Sequence, residues 1–419
     1  MTSPDEPPPQ EPQTEATLED STGPLGLSRN VRVLGLTSLV NDIASEAIYP
    51  LLPMLLASIF PKNAKLILGV VEGAADATAS ILKLFAGSWS DRTGRRKGWI
   101  VFGYTLGGLA RPLLGLVTMP WQVFGCRVGE RFGKGLRTAA RDAIIAESTP
   151  PAQRGWAFGF HRAMDHLGAA IGPLLALLYV SIWPGPEHLR TLFLLTLIPG
   201  LAVVAILVFG LREPRRHGTA AVPFVWSLKP FSTNFRVYLL AMFLFSLGNS
   251  SDSLLLLRAG KLGMSDRSLI LLWFTFSMTK SVGNLAVGRL VERLGARRLI
   301  LGGWLAYALV YLGFGLASEP WHIWALFIAY AVFYSLTEPP EKTLVAKLVP
   351  GDRKGLAYGW YNFAIGIAAL PASALCGWLY EEFGPLQAFG TGGAFALAAA
   401  VVLFAGVHNP RDEVSSAPA

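Results

Sequence analysis

The segment Gly87-Ser-Trp-Ser-Asp-Arg-Thr-Gly-Arg-Arg-Lys97 joins two apolar stretches of the chain, and a related segment follows 201 residues later. This second copy reads Gly288-Arg-Leu-Val-Glu-Arg-Leu-Gly-Ala-Arg-Arg298. Another pair of related segments, Pro150–Gly159 and Pro350–Gly359, recurs at an offset of 200 residues. Two separate motifs with nearly the same offset indicate a chain built from two similar halves.

The composition around these repeats is typical of a membrane protein. Of 419 residues, 52% are apolar and 15% are charged, whereas about a quarter of the residues of a soluble domain are charged. The net charge of +8 comes from short basic connections between apolar runs, which favours membrane loops over nucleic-acid binding. Cys126 and Cys376 each stand alone in an apolar run, so the sequence predicts neither a metal site nor a disulfide.

Twelve apolar runs of membrane-spanning length follow one another along the chain. The predicted fold class is therefore an all-α membrane protein with twelve transmembrane helices in two pseudo-symmetric six-helix halves. The predicted runs are Val33–Ile59, Leu66–Ser90, Trp99–Met119, Trp121–Ala140, Ala157–Trp183, Leu192–Leu211, Val237–Leu257, Leu269–Val291, Leu299–Ala317, Trp321–Ala346, Leu356–Leu379 and Leu386–Val407. The expected divisions are a disordered tail (1–30), a first half (31–211), a connecting loop (212–236), a second half (237–409) and a C-terminal tail (410–419).

Basic residues between the runs predict the orientation of the chain in the membrane. They concentrate in the connections on one side: Arg92, Arg95, Arg96, Lys97, Arg154, Arg212, Arg215, Arg216, Arg293, Arg297, Arg298, Arg353 and Lys354. The opposite connections carry fewer, apart from Arg258, Lys261 and Arg267. The positive-inside bias predicts a multi-pass protein of the cell (inner) membrane with both termini in the cytoplasm. The acidic first 30 residues do not have the pattern of a signal peptide.

The repeated segment resembles a motif of the major facilitator superfamily of secondary transporters. The family's loop between helices 2 and 3 reads G-x-x-x-D-R-x-G-R-R/K, and the chain matches it at Gly87, Asp91, Arg92, Gly94, Arg95 and Arg96. The second copy keeps Gly288, Arg293 and Gly295, with Glu292 in place of the aspartate and Ala296 in place of one basic residue. In that family the motif forms a charge relay and a helix-packing latch at the cytoplasmic face, so the resemblance implies a gate there.

Weaker resemblances support the same family. Gly168-Ala-Ala-Ile-Gly172-Pro173 is similar to the family's antiporter motif G-x-x-x-G-P, although Ala176 and Leu177 stand where the pattern has glycines. Pro50-Leu-Leu-Pro53 resembles the end of the family's first helix, and Arg127 with Glu130 and Gly133 resembles a degraded fourth-helix motif. The resemblance implies a transporter rather than an enzyme, without a cofactor, that works by alternating access around a central site.

Charged residues inside the predicted helices are the candidate site residues. A charge at mid-bilayer costs about 2.5–3.5 kcal/mol on insertion scales, so each such residue is a functional candidate. The proton-coupling candidates are Asp42, Glu46, Glu72, Asp76, Asp165 and His161. The substrate or counter-ion candidates are Arg111, Arg127, Glu130, Arg131, Asn249, Asp252, Lys280 and Glu338. Lys134, Glu341 and Lys342 are expected at the cytoplasmic interface instead.

Two interpretations of these charges stay open at the level of sequence. Acids and bases nearly balance in the first half, which favours ion pairs that hold helices together. A carboxylate near mid-membrane could instead bind and release a proton as its surroundings change. Arg111 and Arg127 are interpreted as counter-ions or as ligands for an anionic substrate. Asp252 is the expected partner of Lys280.

The sequence is compatible with four functions. Proton-coupled export of a small organic compound is favoured by the antiporter-like motif and the helix 1 acids. The alternatives are transport of an anionic metabolite or iron chelate, divalent-cation export through carboxylate ligands, and a non-transporting sensor, which is the least favoured. The expected partners are a small-molecule substrate, protons and the lipid bilayer, with no nucleic acid, and the expected state is a monomer.

Overall fold

The computed structural model describes residues 23–52, 55, 59, 64–213, 227–250, 252–350 and 353–408. Twelve helices form within these ranges, and α6 and α7 each consist of two segments. They are α1 (Arg29–Ile48), α2 (Ala64–Thr93), α3 (Arg96–Leu113), α4 (Pro120–Glu147), α5 (Arg154–Ile182), α6 (Pro186–Leu195 and Leu197–Gly210), α7 (Thr233–Gly248 and Asp252–Lys261), α8 (Asp266–Leu294), α9 (Ala296–Leu316), α10 (Pro320–Leu348), α11 (Lys354–Glu382) and α12 (Pro385–Gly406).

Each helix overlaps one of the predicted apolar runs, but several ends differ. Helix α1 ends at Ile48, before the predicted Ile59, and a 3-10 turn follows at Tyr49–Leu51; helix α3 ends at Leu113 instead of Met119. Helix α4 continues past the predicted end at Ala140 as far as Glu147. Residues 23–30, which belong to the predicted tail, form a short 3-10 turn at Pro24–Gly26 and the beginning of α1. The Ser28 hydroxyl caps α1 by accepting a hydrogen bond from the Val31 N–H (3.4 Å), which is the role that serine favours at a helix N-terminus. Residues 1–22 and 409–419 lie outside the described residues.

Four helices differ from the others in polarity. Among the described residues, eight helices are long and apolar enough to cross a membrane, namely α3, α5, α6, α7, α8, α9, α11 and α12. The other four, α1, α2, α4 and α10, carry more than half of the candidate site residues. Because charged groups in lipid are costly, the polar faces of these four helices must turn towards the interior of the bundle.

The two halves cross at glycine contacts near the repeated segments. A Cβ atom built on Gly87 of α2 would lie 3.3 Å from the Cα of Gly359 in α11. A Cβ atom on Gly288 of α8 would lie 2.9 Å from the carbonyl oxygen of Gly155 and 3.0 Å from the Cα of Gly159 in α5. Both crossings therefore need glycine, and they are related by the offset seen in the sequence. We call this side of the bundle the loop-motif end.

Candidate functional site

Asp91 joins the loop motif to the second half of the chain. Its carboxylate accepts hydrogen bonds from the backbone N–H groups of Gly355 (3.2 Å) and Leu356 (2.8 Å), at the beginning of α11. It also pairs with Arg96 (2.6 Å), and Arg96 pairs with Glu147 at the end of α4. A carboxylate at a helix N-terminus satisfies unpaired N–H groups and meets the positive end of the helix dipole. Asp91 thus connects three helices.

The second copy of the motif repeats this contact in a weaker form. Glu292 accepts a hydrogen bond from the backbone N–H of Trp156 (3.2 Å), at the beginning of α5. Gly94 and Gly295 have φ angles of +61° and +84°, which favour glycine in the turns after α2 and α8. Three of the other motif arginines, Arg92, Arg95 and Arg293, are solvent-exposed.

A buried ion pair links the two halves between α4 and α10. The Lys342 Nζ lies 2.6 Å from the Asp142 Oδ2, and the two side chains are 2% and 0% exposed. Arg141 contacts the other oxygen of Asp142 at 3.2 Å. In α10, Glu341 is also buried and accepts a hydrogen bond from the Tyr361 hydroxyl (2.7 Å). Glu341 and Lys342, which are expected at the cytoplasmic interface, are thus buried inside the bundle.

The same residues show a reversal of charge between the halves. Arg141 and Asp142 stand 200 residues before Glu341 and Lys342, so each base of one half corresponds to an acid of the other. The ion pair thus forms between symmetry-related positions. Asp142 was not among the candidates, because the sequence ended the fourth helix at Ala140.

Asp165 belongs to a second network that joins α1, α5 and α10. It pairs with Arg162 (2.7 Å) and accepts a hydrogen bond from the Ser38 hydroxyl. Glu338 of α10 lies 2.7 Å from the His166 Nε2 and 3.9 Å from the Arg162 Nε. Asp165 and Glu338 are therefore engaged in ion pairs, as the structural interpretation of the charges predicts.

His161 lies between these two networks. It is fully buried, and neither ring nitrogen has a hydrogen-bond partner among the described residues. The charged groups that face it are Arg141, Asp142, Asp165 and Lys342. No hydrogen bond therefore fixes the His161 ring within the described part of the chain.

A third network lies farther from the loop-motif end, between α1, α3 and α4. Glu130 pairs with Arg111 (2.8 Å) and with Arg127. Arg111 also donates to the Asn41 Oδ1 (3.0 Å), and the Asn41 amide donates to the Asp42 Oδ1 (2.7 Å). Arg111 and Arg127 therefore have the geometry of counter-ions, which favours that interpretation over direct binding of an anion.

Asp42 and Glu46 face the antiporter-like motif of α5. A Cβ atom on Gly168 would lie 2.9 Å from the Asp42 Cβ, and one on Gly172 would lie 2.9 Å from the Glu46 Cβ. The glycines, followed by Pro173 inside the same helix, let the backbone of α1 approach α5 at the two carboxylates. The motif and the helix 1 acids, identified separately in the sequence, thus form one site.

Neither of these carboxylates has an ion-pair partner within 4 Å among the described residues. The charged groups near Asp42 are Asp165, Glu46 and Lys134. Those near Glu46 are Lys134, Arg131, Lys280 and Arg111. Glu72 and Asp76 lie on α2, but their side chains fall outside what the structure describes.

The second half contributes a polar break in α7. The helix is interrupted between Gly248 and Asp252. The Tyr330 hydroxyl donates to Asp252 (2.8 Å) and lies 3.4 Å from the Asn249 Oδ1. The Tyr334 hydroxyl also donates to Asp252 (3.4 Å). The Asp252 carboxylate is thus held by two tyrosines of α10.

Lys280 does not pair directly with Asp252, contrary to expectation. Its ammonium group lies 4.3 Å from the ring centroid of Phe276 and 4.4 Å from that of Tyr334. Contact with aromatic faces replaces the ion pair, because a cation is attracted to the negative face of a ring. Asp252 and Glu338 remain close enough to act on Lys280 electrostatically.

With this geometry in place, the family can be assigned by comparison. The family model of the Major Facilitator Superfamily matches residues 34–258 and 238–419, which include both halves. The chain belongs to this superfamily. The MFS chain is 31% identical over 386 residues to an uncharacterized MFS-type transporter of Methanocaldococcus jannaschii, a match that covers 90% of this chain and 94% of the relative.

Solved structures show that this MFS protein has the expected fold. The fucose:proton symporter FucP of E. coli superposes with a TM-score of 0.76 at 15% identity, covering 89% of this chain and 97% of the symporter. The human organic anion transporter MFSD10 gives a TM-score of 0.75 at 18% identity, covering 90% and 99%. The family and the two-halved helical fold predicted from the sequence are confirmed, and the protein is a multi-pass membrane transporter rather than an enzyme.

A shorter match concerns a named efflux protein. Over 94 residues the MFS transporter is 31% identical to the multidrug resistance protein MdtH of Baumannia cicadellinicola. This match covers 22% of the chain and 23% of that relative.

Proposed function

We propose that this transporter exports a small organic compound in exchange for protons, with Asp42 and Glu46 as the proton-coupling carboxylates. The proposal rests on a difference in ion pairing between these two carboxylates and other acids inside the bundle. Glu130, Asp142 and Asp165 each form an ion pair, whereas Asp42 and Glu46 form none with the described residues. A carboxylate without a fixed counter-ion can bind and release a proton as its surroundings change.

The contact between α1 and α5 supports the same assignment. Gly168 and Gly172 bring the backbone of α5 against Asp42 and Glu46. A small movement of α5 relative to α1 therefore changes the solvation of both carboxylates, which links helix movement to proton affinity. The partial match to a multidrug resistance protein supports export as the direction.

The direction in which the central site opens is also part of the proposal. The Asp142–Lys342 ion pair and the hydrogen bond between His166 and Glu338, like the contact of Asp91 with α11, tie the halves together in the part of the bundle nearer the loop-motif end. The positive-inside bias places that end in the cytoplasm. We infer an outward-facing monomer in the inner membrane, with both termini in the cytoplasm and halves 31–211 and 237–409 that rotate against each other.

The alternative substrates have less support. Arg111 and Arg127 are engaged with Glu130, so binding of an anionic metabolite or chelate would depend mainly on Lys280. Divalent-cation export would need Glu72 and Asp76 beside Asp42, and their side chains are outside the described set.

Neutralising Asp42 tests the proposed function. We expect Asp42→Asn to abolish proton release from inside-out vesicles with an acidic lumen, when lipophilic cations, organic anions and divalent metals are added in turn. At least one class should release protons through the wild type. Glu187→Gln is the matched control, because this carboxylate is 67% exposed at the start of α6. Proton release by Asp42→Asn at the wild-type rate would contradict the assignment.

Neutralising Asp91 tests the latch. We expect Asp91→Asn to slow transport about tenfold without removing the protein from the membrane. The variant weakens two hydrogen bonds and an ion pair made by one carboxylate, and a hydrogen bond to a charged group contributes about 1.5–3 kcal/mol. Initial transport rates, normalised to the protein in the membrane, measure the effect. Glu292→Gln should have a smaller effect, because Glu292 accepts one bond of 3.2 Å from a backbone N–H. Normal transport by Asp91→Asn would exclude the latch.

A further inference from the structure

The second half carries a wall of aromatic rings beside the break in α7. Phe276 of α8 stacks on Tyr330 of α10, with ring centroids 5.4 Å apart, and meets the ring of Tyr334 edge-on at 5.8 Å. Both tyrosine hydroxyls donate to Asp252. The hydroxyls are thus directed at Asp252, and the ring faces carry partial negative charge. The Tyr330 ring is fully buried between Phe276 and Phe333, whereas Tyr334 is partly exposed.

Lys280 fills the space in front of these rings. Its ammonium group lies 4.3 Å and 4.4 Å from the centroids of Phe276 and Tyr334, well inside the range of about 6 Å for an attractive cation–ring contact. The residue is 8% exposed, and no described carboxylate lies within 4 Å of its nitrogen. A buried ammonium group thus lies against two ring faces, an arrangement that also suits the ammonium group of a small molecule.

We propose that Phe276, Tyr334 and Asp252 form a binding site for the ammonium head group of an organic cation, and that Lys280 occupies this site as an intramolecular competitor when no substrate is bound. This inference rests on the proposed function and names the class of its substrate. Lys280 is therefore part of the binding site, and its departure from the rings is required for binding.

The charged groups around Lys280 determine where it can move. They are Glu46 of α1, Arg162 and His166 of α5, Asp252 of α7 and Glu338 of α10. Glu338 is already engaged with α5, and Asp252 is held by two hydroxyls. Glu46 is the acid of this group that has no ion-pair or hydrogen-bond partner among the described residues. It is therefore the group towards which Lys280 can move.

This arrangement links the substrate to the proton. An ionised Glu46 attracts Lys280 away from the rings and leaves them free for the substrate. When Glu46 binds a proton, this attraction is lost, and Lys280 returns to the rings and displaces the substrate. Proton binding and substrate binding then exclude each other, as exchange requires.

Removing the competitor tests the site in the full-length protein. We expect Lys280→Met, purified in lipid nanodiscs, to bind benzyltrimethylammonium at least tenfold more tightly than the wild type in calorimetric titrations without a proton gradient. Lys280→Arg is the matched control, because its guanidinium group also binds ring faces and should keep the wild-type affinity. Neopentylbenzene, the uncharged isostere of the probe, should show no gain in affinity for Lys280→Met.

A second measurement uses the wild type. In a protein labelled with 13Cε-lysine, the two rings should shift the Lys280 signal upfield, and the signal is assigned by its loss in Lys280→Arg. Titration with benzyltrimethylammonium to saturation should return the signal to the ordinary lysine position. This measurement decides the question if Lys280→Met fails to fold, as judged by size-exclusion chromatography.

The proposal would be overturned by either of two results. Folded Lys280→Met could bind the cation no more tightly than the wild type, or the Lys280 signal could stay unmoved at saturation. A failure of the proposed function would give a different pattern. Lys280→Met would still bind the cation more tightly than the wild type, but Asp42→Asn would release protons at the wild-type rate. The two ideas can therefore fail separately.

Discussion

Asp142→Asn is expected to destabilise the protein by about 3–5 kcal/mol, the cost of leaving a buried charge without its partner. Asp142 is the carboxylate that lies 2.6 Å from the Lys342 ammonium group in the wild type. Without it, the buried Lys342 would face the positive charges of Arg141 and Arg162. Chemical unfolding of the purified protein in detergent measures the loss of stability.

The partner variant should be milder, which provides the control. In Lys342→Met, Asp142 keeps its contact with Arg141 at 3.2 Å, so its charge stays compensated. Adding Lys342→Met to Asp142→Asn should restore much of the lost stability, because no unpaired lysine remains. A double variant as unstable as Asp142→Asn alone would show that the ion pair is not the cause.

Gly159→Val is expected to separate the halves at the crossing of α5 and α8. A Cβ atom on Gly159 would lie 2.5 Å from the carbonyl oxygen of Asn284 and 2.7 Å from the Cα of Gly288. These are backbone atoms, which cannot move aside as a side chain can. Overpacking costs about 1–3 kcal/mol, so the population with the loop-motif end closed should fall by about 5- to 150-fold. Transport should fall with it.

Accessibility of a buried position at this end measures the separation directly. Ala157 is fully buried in α5, so Ala157→Cys, in a chain whose two natural cysteines are replaced, should react with a thiol reagent only when the halves separate. Gly302→Val is the control, because nothing lies within 4 Å of the Cβ position at this helical glycine. Equal labelling in the Gly159→Val and Gly302→Val backgrounds would contradict the role of the crossing.

The fold could be predicted because membrane helices depend on local composition. Twelve apolar runs predicted twelve helices, since a backbone in lipid has to satisfy its own hydrogen bonds. The ends of the charged helices were less predictable. Arg141 and Asp142 read as the beginning of a loop, because their partner lies 200 residues away and a buried ion pair leaves no local pattern. The repeat offset, applied to Lys342, was the one signal that pointed to Asp142.

Candidate residues for the site could be named from the sequence, but their pairings could not. Asp42 and Glu46 share one face of α1, and the glycines of the antiporter-like motif share one face of α5, because each pair is spaced at i and i+4. The structure shows that these two faces meet. The partner of Lys280 did not follow, because the choice between Asp252 and two rings depends on how α8 and α10 are rotated. The spacing of residues in the sequence does not show how these helices are rotated.

The reversed charges of α4 and α10 also bear on how the two repeats recognise each other. If two copies of the first repeat met in the same arrangement, Asp142 would face a second Asp142, and two copies of the second repeat would bring Lys342 against itself. Each like-charged contact would be buried and repulsive, whereas the mixed pairing makes the observed ion pair. A repeat therefore does not pair favourably with an identical copy of itself. Two changes of charge sign between the repeats are enough to favour pairing of the first repeat with the second.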